Sequence, residues 1–171
     1  GSNSVSYLDE KDKKKIISEL LKEAGNSLDK LPERARNGDY ILDEFEWVIE
    51  GWGITSLDEY KRKNRRGRKI GLTDSQQEII WELYEGFVRK AHAMNKLSFE
   101  GGLNLALNRL REASQKSVHP NDPPKFDYVF VDEAQDLKPV GLRLCSALAR
   151  EEKNLYITED PNQSIYKRGG I

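Results

Sequence analysis

A single cysteine, Cys145, stands in a chain of 171 residues, so no disulfide framework can hold the molecule together. The fold must rest on its own apolar core, and a reducing compartment suits it. The chain also lacks an excess of either charge. With 28 basic and 29 acidic residues its net charge is -1, so no global field draws it to nucleic acid and any basic surface must be local. No apolar run approaches the roughly 18 residues of a membrane-spanning helix, and no signal segment is visible. His92 and His119 have no partner at metal-ligand spacing, which argues against a zinc site. No internal repeat or low-complexity tract appears. With 37% hydrophobic residues, the composition predicts a soluble, cytoplasmic protein of one ordinary domain or two small ones. The opening "GSNS", residues 1–4, reads as a tag remnant.

Helical periodicity dominates what is present. From Leu8 to Ala24, the residues Ile16, Ile17, Leu20, Leu21 and Ala24 recur on one face among lysines and glutamates, with Gly25 and Asn26 as the stop. A second, shorter helix is predicted around Ile41, Leu42, Phe45, Val48 and Ile49, ending at Gly51 and Gly53. The longest helix carries Ile80, Leu83, Tyr84, Phe87, Ala91 and Met94, opened by a capping box of Thr73 with Gln76 or Ser75 with Glu78. Another follows with Leu103, Leu107 and Leu110 on one face. Trp47, Trp52 and Trp81 sit in these patterns as expected core residues, and Cys145, among Leu144, Ala147 and Leu148, reads as a small buried apolar residue.

The local basic surface lies between the second and third of these segments. Lys61, Arg62, Lys63, Arg65, Arg66, Arg68 and Lys69 gather around Gly67, next to the ring of Tyr60. Such a run is a solvated loop or a nucleic-acid contact, and the sequence leaves both open.

The turn-rich "SVHPNDPPK" marks a boundary near Pro124. Beyond it come an apolar run at Tyr128–Val131, a helix from Pro139 to Arg150 and a second apolar run at Leu155–Thr158. Two short strands joined by one helix should be parallel, so their carboxyl ends share an edge. Asp132 and Glu133 then emerge beside Glu159, Asp160 and Gln163, at the edge where open parallel sheets bind ligands. Adjacent acids there can divide the work of phosphate hydrolysis, one holding Mg²⁺ and the other orienting or deprotonating water. Gln135 and Gln163 supply neutral donors for phosphate.

Together "VDEAQD" and "TEDPNQSIY" resemble motifs II and III of superfamily 1 DNA helicases of the UvrD/Rep type, although Glu159 stands where that family carries glycine. The stretch through "EYKRKNRRGRKIGLTDSQQEIIWELYEGF" and "LSFEGGLNLAL" is similar to the helical insertion of the family's first RecA-like domain. The resemblance implies a mostly α fold with a small parallel β-α-β unit. In it, residues 5–124 form the helical accessory domain and residues 125–171 part of a RecA-like P-loop NTPase domain. It implies Asp132 as Mg²⁺ ligand, Glu133 as activator of the attacking water, Gln163 as γ-phosphate sensor and Tyr166 as a ring beside single-stranded DNA. Arg62, Arg65, Arg66 and Arg68 become candidate contacts to duplex DNA.

No GxxxxGK[ST] phosphate loop occurs in the sequence, so these residues alone are expected to hold neither ATP nor Mg²⁺ tightly and to lack hydrolysis. The implied role is part of a larger ATP-dependent helicase. The alternative is a non-catalytic DNA- or protein-binding module derived from one. An apolar strand at Leu155–Thr158 without a neighbour on one side is also expected to promote self-association.

Overall fold

A computed structural model describes residues 6–63, 65, 68, 70–115 and 125–160. Two compact units emerge. The first comprises residues up to Ile49 together with Ile54–Phe99, and the second comprises Glu50–Gly53 with the residues from Glu100 onward. The division therefore falls at Phe99/Glu100, ahead of the turn-rich stretch.

In the first unit, helix α1 (Glu10–Ala24) starts at a capping box, where the Asp9 carboxylate accepts from the Asp12 backbone N–H at 2.8 Å and the Asp12 carboxylate returns the contact at 3.2 Å. Its buried face is Ile16, Ile17 and Leu20. Helix α4 (Asp74–Ala93) opens on the Thr73/Gln76 box. It buries Ile80, Leu83, Phe87 and Ala91 at helical spacing. Gly86 completes this face: a Cβ there would stand 2.6 Å from Leu20 Cδ2, so only a glycine lets that side chain approach.

Helix α2 (Gly38–Asp43) begins on the Asn37 cap, and from Glu44 to Ile49 the backbone widens into a π-helix. The regular helix expected here is thus only half present. The wide turn places Glu44, Phe45, Val48 and Ile49 all inward, and a 3.6-residue period does not anticipate a buried glutamate among them. Phe45 lies at the centre, its ring 5.4 Å from both Tyr84 and Phe87. Short helix α3 (Leu57–Arg62) adds the fully buried Tyr60.

A small parallel sheet ties together the two ends of this unit: β1 (Ser6–Tyr7) pairs with β2 (Lys96–Leu97). Two-residue strands are too short to show alternation, so no periodicity in the sequence marks them. The three tryptophans are half-buried rather than core. Trp81 keeps its indole N–H at the surface, donating to Glu85 at 2.9 Å.

In the second unit, α5 (Phe99–Gln115) contributes buried Leu107 and Leu110 from Glu100 onward. Strand β3 (Val129–Val131), helix α6 (Pro139–Leu148) and strand β4 (Leu155–Ile157) form the expected strand, helix, strand. Val140 on α6 is fully buried, and its N–H donates to Gly51 O at 2.9 Å. Asn104 donates to Glu50 O at 2.9 Å, and Arg143 to Trp52 O at 2.6 Å, so the Glu50–Gly53 turn is held from two helices. Cys145 is half-buried, and burial pushes its thiol pKa up. Among the described residues β3 and β4 pair only with each other. Tyr128, Phe130 and Tyr156 remain exposed on one face of that sheet, Phe130 by 75%.

Truncating the ring at the centre of the first unit tests this packing. Phe45→Ala should lower the unfolding free energy by about 3–5 kcal/mol. Urea titration should show a lower midpoint at an unchanged slope; a loss below about 1 kcal/mol would contradict a central place for this ring.

Candidate functional site

The register of β3 and β4 sets the geometry. Val129, Phe130 and Val131 stand opposite Leu155, Tyr156 and Ile157 in parallel, so both strands end at one level. Thr158 N–H then donates to Val131 O at 2.9 Å, and Ala134 N–H donates to Thr158 O at 3.0 Å, continuing the pairing into the two loops. Apolar, β-branched strands that stop at acids bring Asp132 and Glu133 directly beside the second loop.

Asp132 is exposed, and its Oδ1 accepts from the Thr158 hydroxyl and, at 3.1 Å, from Glu133 N–H. Its Oδ2 makes no hydrogen bond to any described residue. Glu133 is exposed and adopts the left-handed region at φ 53°, a conformation that costs a residue with a Cβ about 1–2 kcal/mol. That backbone turn starts the 3₁₀ segment Ala134–Asp136. Gln135 links the loops: its amide N–H donates to Glu133 Oε2, while its Oε1 accepts from Asp160 N–H at 3.0 Å.

The structure thus gathers Asp132, Glu133 and Gln135 with Thr158 and Asp160. Thr158 was absent from the expected site because a threonine at a strand end is ordinary β composition. Asp136 is a second omission: its Oδ1 is buried without a hydrogen-bond partner among the described residues. Its only signal is its place as the last acid of the string. Gln163, Tyr166 and Arg66 lie outside the described residues. No group of three or more His, Cys, Asp or Glu among the described residues could hold a metal ion on its own.

The expected basic DNA contact divides. Arg62 is exposed, whereas Arg65 and Arg68 turn inward onto Glu44, a carboxylate with no solvent exposure. Arg65 Nε donates to Glu44 Oε1 at 2.6 Å, and its other nitrogens donate to Tyr40 Oη at 2.8 Å and Ile70 O at 3.1 Å. Burial pulls the Arg65 guanidinium toward losing its proton, and the hydrogen bond and charge of Glu44 more than reverse that pull. Arg68 Nε lies 2.8 Å from Glu44 Oε2, an ion pair out of hydrogen-bonding line, and its guanidinium caps the Tyr40 ring at 4.2 Å. Tyr60 also donates to Glu44, at 2.7 Å; burial, then the nearby carboxylate, hold its hydroxyl protonated. Two of the four arginines expected on DNA are therefore committed to a buried anion.

The sequence matches the family model of the UvrD/REP helicase N-terminal domain over residues 2–170. The chain belongs to this family. It is similar to the PcrA protein of Staphylococcus aureus (strain Mu50), with 24% identity over 163 residues, covering 95% of this chain and 20% of the relative. It is also similar to YjcD of Bacillus subtilis (strain 168), with 28% identity over 125 residues, covering 73% of this chain and 16% of the relative. The chain spans about a fifth or less of the length of these relatives. Among the described residues no helix is long and apolar enough to cross a membrane.

Arg65 and Arg62 should behave oppositely in this UvrD/REP-family chain. Arg65→Ala strands a buried carboxylate and should cost about 3–5 kcal/mol of stability. Arg62→Ala, at the surface, should stay within about 0.5 kcal/mol. Equal midpoints in chemical denaturation would refute the structural role of Arg65.

Proposed function

We propose that this chain is part of an ATP-dependent DNA helicase that couples Mg-ATP hydrolysis to movement on single-stranded DNA and strand separation. The observation that carries this reading is the meeting of the two strand-end loops, which sets Asp132 and Glu133 against Thr158, Gln135 and Asp160. The PcrA relatives are ATP-dependent DNA helicases by name. The helical insertion is drawn from residues 5–124 and the RecA-like part from residues 125–171, with α5 compacting onto the strand-bearing unit from Glu100.

The donor set fits a hard cation. Asp132 has one oxygen fixed by Thr158 and the other exposed and unbonded among the described residues, so Asp132 would hold Mg²⁺. When bound, that ion neutralises charge on the phosphates of ATP. Glu133, beside it, takes the proton of the attacking water, and Gln135 fixes the Glu133 carboxylate through its amide. Gln163 senses the γ-phosphate, and Tyr166 stacks on a base of single-stranded DNA. The phosphate cradle and its lysine come from outside these residues, because the sequence holds no phosphate loop. The 171 residues by themselves are therefore inactive. A non-catalytic module is the competing reading, and the intact pair of carboxylates favours the motor.

In the complete parent protein, Glu133→Gln should leave nucleotide binding intact and lower turnover by about 10²- to 10⁴-fold. Phosphate release measured with Mg²⁺ and single-stranded DNA checks this; equal turnover would remove Glu133 from its role. The isolated chain should release no phosphate above background.

A further consequence concerns the β3–β4 sheet, whose outer strand edges are unpaired among the described residues. The isolated chain should self-associate through β4. Light scattering should show mass rising with concentration, with amide protection across Leu155–Ile157 following it. A strict monomer with concentration-independent protection would refute the edge contact.

A further inference from the structure

The apolar face of α1 is wider than the part that its own unit covers. Ile16, Ile17 and Leu20 are buried, whereas Leu21 stays half-buried. On α2, likewise, Ile41 is buried and Leu42 is only half-buried. Both leucines line the same place. With Ile17 they form the apolar lining of an open groove of about 440 Å³ between the two helices. Gly38 lies in that lining: a Cβ there would stand 2.9 Å from Ile17 Cγ2 and 3.5 Å from Leu21 Cδ1, so a glycine lets the start of α2 settle directly on α1.

The α1 side of the groove consists of Lys14, Ile17, Ser18, Leu21 and Lys22, whose spacing of three and four keeps them on one side of the helix over about 12 Å of its axis. Lys14, Ser18 and Lys22 form an exposed edge beside the apolar floor. Among the described residues neither lysine forms an ion pair, because the acids around them are engaged: Glu10 holds Lys13 at 2.8 Å, and Glu19 and Glu23 share Lys90 at 3.0 and 2.8 Å. The α2 side differs. There the groove is lined by Asn37, whose side chain accepts from Asp39 N–H at 2.8 Å, and by exposed Asp39 itself. The apolar floor thus has a cationic edge on α1 and an acid on α2.

We propose that this groove docks an amphipathic helix of a partner protein, one whose apolar face is flanked on one side by carboxylates. A trough between two packed helices is the shape that a third helix fills, with its apolar ridge inserted and its polar flanks at the edges. Charge complementarity sets the orientation. Two carboxylates about two turns apart on the partner match Lys14 and Lys22, while Asp39 repels an acid on the other flank. A nucleic-acid backbone has no apolar face with which to cover Leu21 and Leu42, and an open trough buries too little of a small ligand. The inference goes beyond the helicase reading, since no residue of the strand-end site takes part in it.

The test uses the whole 171-residue chain and a capped, alanine-based helical peptide that carries two leucines one turn apart, flanked on one side by two glutamates two turns apart. Titration followed by amide NMR should give a saturable affinity, with shifts concentrated at the lining residues of α1 and α2. Reversing the edge with Lys14→Glu and Lys22→Glu, at two exposed positions that leave circular dichroism unaltered, should weaken this peptide about tenfold. The same variant should prefer a peptide with lysines in place of the glutamates. Leu21→Ser should weaken both peptides by about tenfold. Absence of binding, an unchanged preference in the reversed variant, or shifts centred outside the groove would overturn the proposal. So would equal binding of a peptide with its leucines moved to the opposite face. Groove shifts that follow protein concentration without peptide would overturn it in favour of a second copy, and displacement of the peptide by an equal concentration of octanoate would overturn it in favour of a fatty-acid site.

Discussion

The arrangement of the candidate site depends on one constraint, the parallel in-register pairing of β3 with β4. Three residue pairs, Val129 with Leu155, Phe130 with Tyr156 and Val131 with Ile157, fix where each strand stops. Because side chains alternate along a strand, a slip of one residue would turn Asp132 to the opposite face and part it from Thr158. The hydrogen bond from the Thr158 hydroxyl to Asp132 and the Gln135 bridge from Glu133 to Asp160 N–H both follow from that register. Helix α6 supports it from within the unit, through fully buried Val140 and the bridge between Phe126 and Ala149.

A buried carboxylate plays the corresponding part in the first unit. Glu44 would be costly without partners, and the π-helical turn that turns it inward is tolerated because Tyr60, Arg65 and Arg68 converge on it. Arg65 also reaches Ile70 O and Arg68 reaches Tyr40 O, so the network fastens the segment after α3 to α2. Such a pair adds little net stability compared with an apolar filling, yet it fixes which arginines face inward. The basic run therefore serves the fold at Arg65 and Arg68, pairs Lys61 with Glu78 at 2.6 Å, and meets the solvent at Arg62.

The same accounting explains why an almost neutral chain has a directional charge. Lys13, Lys90 and Lys96 each hold an acid of α1, and Lys13 also meets Glu46 at 2.7 Å. Individually these surface pairs contribute little to stability. Their collective effect is to decide which charges of α1 are left unmatched.

The sequence by itself determined the helical faces of α1 and α4, the Thr73 cap, the strand, helix, strand order and the strings that end in acids. These are local patterns: periodicity, capping chemistry and β-branched runs are written in neighbouring residues. It left out β1 and β2, which are too short for a period, and the π-helix, whose wider turn follows from burying Glu44 against residues sixteen and more positions away. Only the tertiary structure could separate Arg62 from Arg65 and Arg68, or free lysines from paired ones on α1. Charge type is encoded residue by residue, but whether a charge meets solvent, a partner or a buried anion is set by segments brought together from distant parts of the chain.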